Sequence, residues 1–500
     1  MRELPSGWNV VAIGDVTVPK VPQGAPEEKS TFTYVDISSV DNAAKRIVGS
    51  RPIAGKDAPS RARQHLAHND VLVSMTRPNL NAVAKVPDNL DKAIGSTGFD
   101  VLRCKEIEPD WIFYTVRSPA FVQAMSDLVQ GALYPAVRSE DVRSYLISLP
   151  PLNEQRRIVA KLDALFEKSR SIREKLDLLP RLLANLQKSI LNSAFRGDLT
   201  KEWRANNPDV EPASELLKRI CAERRALWEA ELIARGKDPK TVKYVEPEPV
   251  DSDDLPELPQ GWCWSRMNLV GKVQLGRQRT PKYHHGNCMR PYLRVQNVFE
   301  NRIDTDDVME MDFPDNDFET YRLKDGDILL NEGQSPEFLG RPAMYRGEVP
   351  DACFTNTLIR FQAKLGIDSE FALLVFRHYM HSGRFRGEGQ ITTNIAHLGA
   401  GRFAAIEFPL PPHKEQLEIV RLASISLQKT ETLKNLCLQV AERHQQSEQA
   451  FLIKAFRGDL VPQDPNDEPA SVLLERIRAQ KPAAGTKRGH ARRHAAPEGP

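Results

Sequence analysis

Paired cysteines, long apolar runs and a surplus of either charge are all missing from this chain. Its six cysteines (104, 221, 263, 288, 353 and 437) stand apart with no C-x-x-C spacing. That argues against a disulfide framework and a structural zinc site, and it suits a reducing cytosol. No apolar run approaches the roughly 20 residues that a membrane helix needs. The opening MRELPSGW has no apolar stretch of the secretory kind, so no signal peptide is expected. Net charge is only +2, so composition does not announce a nucleic-acid partner; bound DNA would require basic residues gathered on one face.

Catalytic signatures are scarce too. The sequence has no G-x-x-x-x-G-K-[ST] loop, no glycine-rich turn after a strand to cradle S-adenosylmethionine, no N-P-P-[YF], no G-x-S-x-G and no H-E-x-x-H. His284, His285 and Cys288 lie close together without a second cluster to complete a metal site, and read as a solvated loop. Catalysis is disfavoured.

What the chain does have is itself, twice. LPSGW at 4–8 returns as LPQGW at 258–262, LPPLNEQRRIV at 149–159 as LPPHKEQLEIV at 410–420, AFRGDL at 194–199 again at 455–460, and EPASELLKRI at 211–220 as EPASVLLERI at 468–477. Four motifs in the same order at nearly constant offset mark an internal duplication. After the second motif, Ile158, Leu162, Leu165, Ser169, Ile172, Leu176, Leu179, Leu183, Leu186 and Ile190 alternate spacings of four and three, the seam of a long helix packed on a partner helix. Pro180 falls inside it and is expected to kink or interrupt it. The second copy runs Ile419, Ala423, Ser426, Thr430, Leu433, Cys437, Val440, His444, Ser447 and Phe451, a smaller and more polar seam, with Ala441 in place of the proline. Either copy alone would pair poorly, so the two helices are expected to lie along each other as an antiparallel intramolecular coiled coil. A seam of about 32 residues spans roughly 48 Å at about 1.5 Å per residue, somewhat more than one turn of B-DNA, about 34–36 Å.

The fold class is therefore α+β: two α/β globular units separated by two long helices in a pseudo-twofold internal repeat. The expected boundaries are 1–150 for the first globular unit, 151–235 for the first helical region, 236–257 for an acidic proline-rich linker, 258–411 for the second globular unit, 412–480 for the second helical region and 481–500 for a disordered basic tail. YVDISSV, DVLVSM and FDVLRC read as strands and PAFVQAMSDLV as a helix in the first unit. PYLRVQNV, GDILLNE and TLIRFQ read as strands and SEFALLVFRHYMHS as a helix in the second.

Candidate binding groups sit in the loops after strands. Arg77, Asn79 and Asn81 follow DVLVSMT, and Tyr134 and Arg138 follow the turn at Gly131. The second unit offers Arg277, Gln278, Arg279, Thr280, Lys282 and Tyr283, then Gln334 and Arg341, then Gln390, Thr393 and Asn394. These clusters mix phosphate-type donors with the amides and guanidinium groups that hydrogen-bond adenine and guanine edges in the major groove.

At this point the chain resembles a known family over nearly its whole length: the specificity (S) subunit of type I restriction–modification systems. The resemblance rests on LPxGW opening each half, GRQRTP…YLRVQNV, GDILLNEGQ…GRPAMY, GQITTNI…IEFPLPPHKEQ and both AFRGDL segments. The first unit departs from the pattern, with DVLVSMTRPNLNAVA in place of the GDILL form. The resemblance implies that the globular units are target-recognition domains, each reading half of a bipartite site in double-stranded DNA, with the helices setting the unread spacer. It implies two modification (methyltransferase) subunits docked on the helical regions, carrying S-adenosylmethionine and methylating adenine. Restriction (translocase and nuclease) subunits would use ATP and Mg2+. This chain would itself bind no cofactor or metal, touch no membrane and catalyse nothing. A diverged methyltransferase or nuclease, and a protein-binding coiled-coil scaffold, are the competing readings.

Overall fold

Apolar residues repeated at steps of four and three over so long a stretch call for helices far longer than an ordinary domain holds, and two such helices form. The computed structural model describes residues 4–129, 134–392 and 395–480. The helices that matter are α1 (Pro109–Arg117), α2 (Pro119–Asp127), α3 (Leu152–Phe195), α4 (Ala213–Ala234), α5 (Ser369–Ser382), α6 (His413–Arg457) and α7 (Ala470–Ala479). Helix α3 is unbroken over 44 residues and α6 over 45. The interruption expected at Pro180 does not occur. One missing N–H and one crowded turn cost about 3 kcal/mol, too little to part a helix anchored by buried residues in both its halves. Among the described residues no helix is long and apolar enough to cross a membrane.

The seam is buried unevenly. Ile158, Leu162, Ser169 and Ile190 on α3 and Ile419, Ala423 and Thr430 on α6 are buried, whereas Ile172, Leu186, Leu433 and Val440 are exposed. A seam carrying Ser426, Thr430, Cys437 and Ser447 has little apolar area to lay over a leucine.

The chain folds into two compact units that are not its sequential halves. The described residues of Met1–Asp177 and Leu438–Pro500 form the first, and those of Leu178–Cys437 the second. Each unit thus contains one end of both long helices. In the first, Ser169 Oγ meets His444 Nε2 at 2.9 Å, Arg173 pairs with Glu448 at 2.6 Å, and Phe166 packs edge-on against Phe451. In the second, Ile190, Leu191 and Ala194 share one core with Ile419 and Ala423.

The recurring motifs are the clasps that close each unit. Gln155 and Gln416, from the two E-Q pairs, do the same job: each side-chain amide donates to the carbonyl of Pro150 or Pro411, and each side-chain oxygen accepts the N–H of Glu108 or Asp368 just before α1 or α5. In the second unit the glycine of the first AFRGDL, Gly197, sits at φ +70° where a Cβ would lie 2.8 Å from Pro259 and 2.9 Å from Trp262, both from LPQGW. In the first unit Gly458, at φ +76°, meets Pro5 and Trp8 of LPSGW likewise. Only glycine combines that backbone with that approach. Helices α4 and α7 dock on the same motifs, with Ala213 N–H donating to Gly261 O at 2.8 Å and Ala470 N–H to Gly7 O at 2.9 Å. The motifs recur together because they touch, each helical segment closing on the LPxGW of the unit it belongs to.

Both globular parts hang on short hairpins and small mixed sheets. In the first unit, strand Val71–Ser74 lies between Phe99–Leu102 and Val83–Lys85, while Asn9–Ala12 pairs with Leu146–Leu149 at the root of α3. In the second, Ile328–Asn331 lies between Leu358–Ala363 and Pro342–Met344, while Cys263–Arg266 pairs with Glu407–Leu410 at the root of α6. Helix α5 spans the predicted SEFALLVFRHYMHS and is buried nearly all round, with Phe371, Ala372, Phe376 and Tyr379 in the core. The strand readings YVDISSV and PYLRVQNV are shorter than expected. Thr31–Val35 and Met289–Leu293 each give way to a 3-10 turn, because Asp36 and Arg294 bond to the third residue beyond and turn the chain. The acidic segment 236–257 is largely exposed, tied down by Tyr244 against Trp228 and by Arg266 donating to the Glu248 and Pro249 carbonyls. The basic tail 481–500 lies outside the described residues.

Candidate nucleic-acid interface

In the first unit, strand Val71–Ser74 runs out into the loop carrying Arg77, Asn79 and Asn81. Arg77 and Asn81 both adopt left-handed backbone (φ 49° and 46°) on either side of the 3-10 turn Pro78–Leu80. The chain doubles back there and leaves Arg77 and Asn79 exposed. A β-bridge between Thr76 and Ala136, with Arg77 N–H donating to Pro135 O at 2.8 Å, draws the segment with Tyr134 and Arg138 alongside. Tyr134 is 85% exposed. Two loops far apart in sequence thus form one surface that offers a guanidinium pair, two amides and an uncovered aromatic ring.

The second unit distributes its candidates over two places. Arg277 is buried, contrary to its reading as a base-contacting group. Its guanidinium pairs with Asp317 at 2.7 Å, donates to the Asp312 carbonyl and stacks 3.8 Å from the Tyr283 ring centre. With its donors spent internally, it is a scaffold for the exposed residues around it: Gln278, Arg279 and Lys282, the last 4.6 Å from the same ring. Lys282 and Arg277 both pull the Tyr283 phenol below its usual pKa. The Thr280 hydroxyl is buried without a partner among the described residues. His284 and His285 are exposed, and among the described residues no three metal-ligating side chains converge.

The other place is built on a small antiparallel sheet, Gly333–Gln334 and Gln390–Thr392 flanking Ile395–His397. Gln334 pairs with Ala396 and Gln390 with His397, so the sheet unites two loops that the sequence separates. Arg341 lies over the rings of Phe299 (4.6 Å) and Phe338 (5.3 Å), and with Gln334 it lines a cleft of about 490 Å³ that Asp304, Asp306 and Asp307 also border. Burial lowers its guanidinium pKa. Thr393 and Asn394 lie outside the described residues.

Sequence reasoning missed Lys45 and Arg117. Lys45 Nζ donates to the Asn81 carbonyl at 2.6 Å, directly beneath the predicted loop. Arg117 lies 4.8–5.2 Å from the ring centres of Phe113, Tyr114 and Phe166. A comparison of the two copies position by position would have singled them out, since Arg117 and Arg377 occupy matching places on α1 and α5.

Comparison with known proteins finds similar chains and a matching family model. Residues 5–181 match the family model described as the type I restriction modification DNA specificity domain. The EcoKI specificity subunit of Escherichia coli K12 is 22% identical over 85% of this chain and 84% of its own length. The EcoAI specificity subunit of E. coli is 26% identical over 84% and 77%. The solved HsdS subunit of Thermoanaerobacter tengcongensis is 28% identical with a TM-score of 0.57, covering 91% of this chain and 98% of that one. A chain from a solved type I restriction–modification assembly is 26% identical with a TM-score of 0.64, covering 92% and 100%. Over most of its length this chain is similar to the specificity subunits of type I restriction–modification systems, and its residues 5–181 match their DNA specificity domain.

Proposed function

We propose that this chain reads a bipartite DNA site, one half through the Arg77–Asn81 and Tyr134–Arg138 surface and the other through the second unit's Arg279–Lys282 and Gln334–Gln390 surfaces. The observation that carries this reading is that two units repeat one set of clasps while the loops they carry differ in chemistry. A single repeated reader would carry like loops. Helices α3 and α6 act as an antiparallel separator that fixes the gap. In support, partners on α3 rise in number from Ser169 to Ile190 as those on α6 fall from His444 to Ile419. The clasped helical regions dock two modification subunits, which bring S-adenosylmethionine and methylate adenine. Restriction subunits would bring ATP and Mg2+. The chain itself binds no cofactor, performs no chemistry and works in the cytoplasm.

Methylome sequencing of cells with and without the gene tests this. One interrupted methyladenine motif should vanish with the gene. Exchange of residues 1–150 for those of a relative should alter one half-site only, and a heptad added to both helices should change the gap and neither half-site. An unchanged methylome overturns the reading.

A further inference from the structure

The duplication gives each unit an equivalent hairpin turn, and the two turns carry opposite charges. In both units a tight hairpin turn reaches its second strand through a left-handed residue: Lys45 (φ 54°) between Val40–Asp41 and Arg46–Ile47, and Asn301 (φ 52°) between Val298–Phe299 and Arg302–Ile303. Each turn bonds to the chain just past the reading loop's turn, Lys45 Nζ to the Asn81 carbonyl that ends the loop and Asn301 N–H to the Pro342 carbonyl that begins the next strand, 2.9 Å away. Each is also near an arginine of the following helix, Arg117 on α1 or Arg377 on α5.

In the second unit the turn supplies an acid. Glu300 accepts from Arg377 Nε at 2.8 Å and meets His381 Nε2 at 3.0 Å, and Arg377 is buried. That charge is closed off. In the first unit the turn supplies Lys45 instead, and among the described residues neither Lys45 nor Arg117 has a carboxylate at ion-pair distance. The acids that line this cleft and the neighbouring one, which Lys45 and Arg117 also border, are engaged or exposed. Asp163 takes the Tyr114 hydroxyl, Glu448 takes Arg173 and Ser169, Asp110 takes Lys85, Asp41 takes the N–H groups of Ala43 and Ala44, and Glu167, Glu174 and Asp177 are exposed. Two cations thus face a cleft of about 760 Å³ with no carboxylate at ion-pair distance among the described residues, the charges of Asp41 on Lys45 and of Glu448 and Asp163 on Arg117 acting only at longer range. Burial and the Arg117 charge hold the Lys45 ammonium down at about 8, and burial lowers Arg117 too. Partly buried cations of like sign destabilise a fold unless an anion joins them. A guanidinium backed by aromatic rings beside a lysine ammonium is a chemistry suited to phosphate. Asn79, from the predicted reading loop, lines the same cleft.

The structure assigns the cleft of Lys45 and Arg117 as a phosphate-binding subsite of the first unit that the second unit has replaced by an internal ion pair. It rests on the function proposed above in one respect, that the phosphate is supplied by the DNA backbone beside the bases read by Asn79 and its neighbours.

The test uses the full chain assembled with its modification subunits and the variants Lys45→Glu and Lys45→Arg. Lys45→Glu gives Arg117 the acid that Glu300 gives Arg377, so it should melt no lower than the parent. Its DNA affinity should fall for all sequences alike, with the slope of log affinity against log salt shallower by about 1 and the methylated motif unchanged; Lys45→Arg should keep the parental slope. Inorganic phosphate, added without DNA, should raise the melting temperature of the parent and not of Lys45→Glu. A phosphate effect with an unchanged salt slope sustains the subsite and assigns it to a free phosphate-bearing ligand. Parental slope together with no phosphate effect overturns the proposal, even where the bipartite motif is present. A missing motif with an intact phosphate effect fails the proposed function instead.

Discussion

The two units place an arginine at the same point of equivalent helices, yet treat it in opposite ways. Arg377 is buried, held by Glu300 and next to His381; Arg117 lies on three aromatic rings in an open cleft and faces Lys45. Burial opposes ionisation of Glu300, but the His381 hydrogen bond and the Arg377 charge together hold it down at about 2. A duplicated scaffold therefore fixes where a charge stands and leaves open whether it is spent on the fold or kept for a ligand.

The sharpest way to break this comparison is to remove the turn residue from each copy. Glu300→Ala strands a buried guanidinium and should cost the second unit about 3 kcal/mol. Lys45→Ala relieves a like-charge contact and should leave the first unit within about 0.5 kcal/mol or stabilise it. Urea titration of the full chain measures both, and equal losses would mean that the two arginines are neutralised alike.

A smaller difference should separate the two buried acids of the E-Q motifs. Glu415 accepts from the Thr200 hydroxyl, at 2.7 Å, and from Arg204, whereas Glu154 accepts from the Trp8 indole at 3.0 Å and its pKa is raised by burial. Glutamine keeps an acceptor for an indole but not a charge for a guanidinium. Glu415→Gln should cost about 2 kcal/mol and Glu154→Gln about 1 kcal/mol or less, read from the same titrations.

The mildest effect concerns pH. His378 stacks on Phe195 with ring centres 4.2 Å apart, and burial, then the His381 charge, lowers its pKa to about 4. The unfolded chain takes up that proton first, near 6.5, so the stabilisation is complete above 6.5 and is lost as the pH falls towards 4. The matching position of the first unit is Ser118, which caps α2 and does not titrate. Thermal melts between pH 7 and 4 should show this loss in the parent and less of it in His378→Phe.

Much of this architecture was legible beforehand. The recurring motifs gave the duplication, the spacing of Ile158 to Ile190 gave α3, and SEFALLVFRHYMHS gave α5 to the residue. Pro180 alone predicts a kink or a break, and the break does not form because the local penalty is outweighed by the long helix around it. The residue type of Arg277 suits guanine and predicts a contact, but Asp317 and the Asp312 carbonyl take its donors and the Tyr283 ring covers its face. The pairing of Thr76 with Ala136, which makes one surface of two loops, had no signature in either loop.

Residue type and spacing, which act locally, determined by themselves that there are two copies, that each carries a long amphipathic helix, and that strand ends present polar loops. Which copy of AFRGDL closes on which LPxGW, which arginine is neutralised, and which loop meets which were decided by tertiary contacts between segments far apart in the chain. Those contacts depend on distances and burial that no stretch of sequence encodes alone, because a charge is expensive or useful only according to what surrounds it.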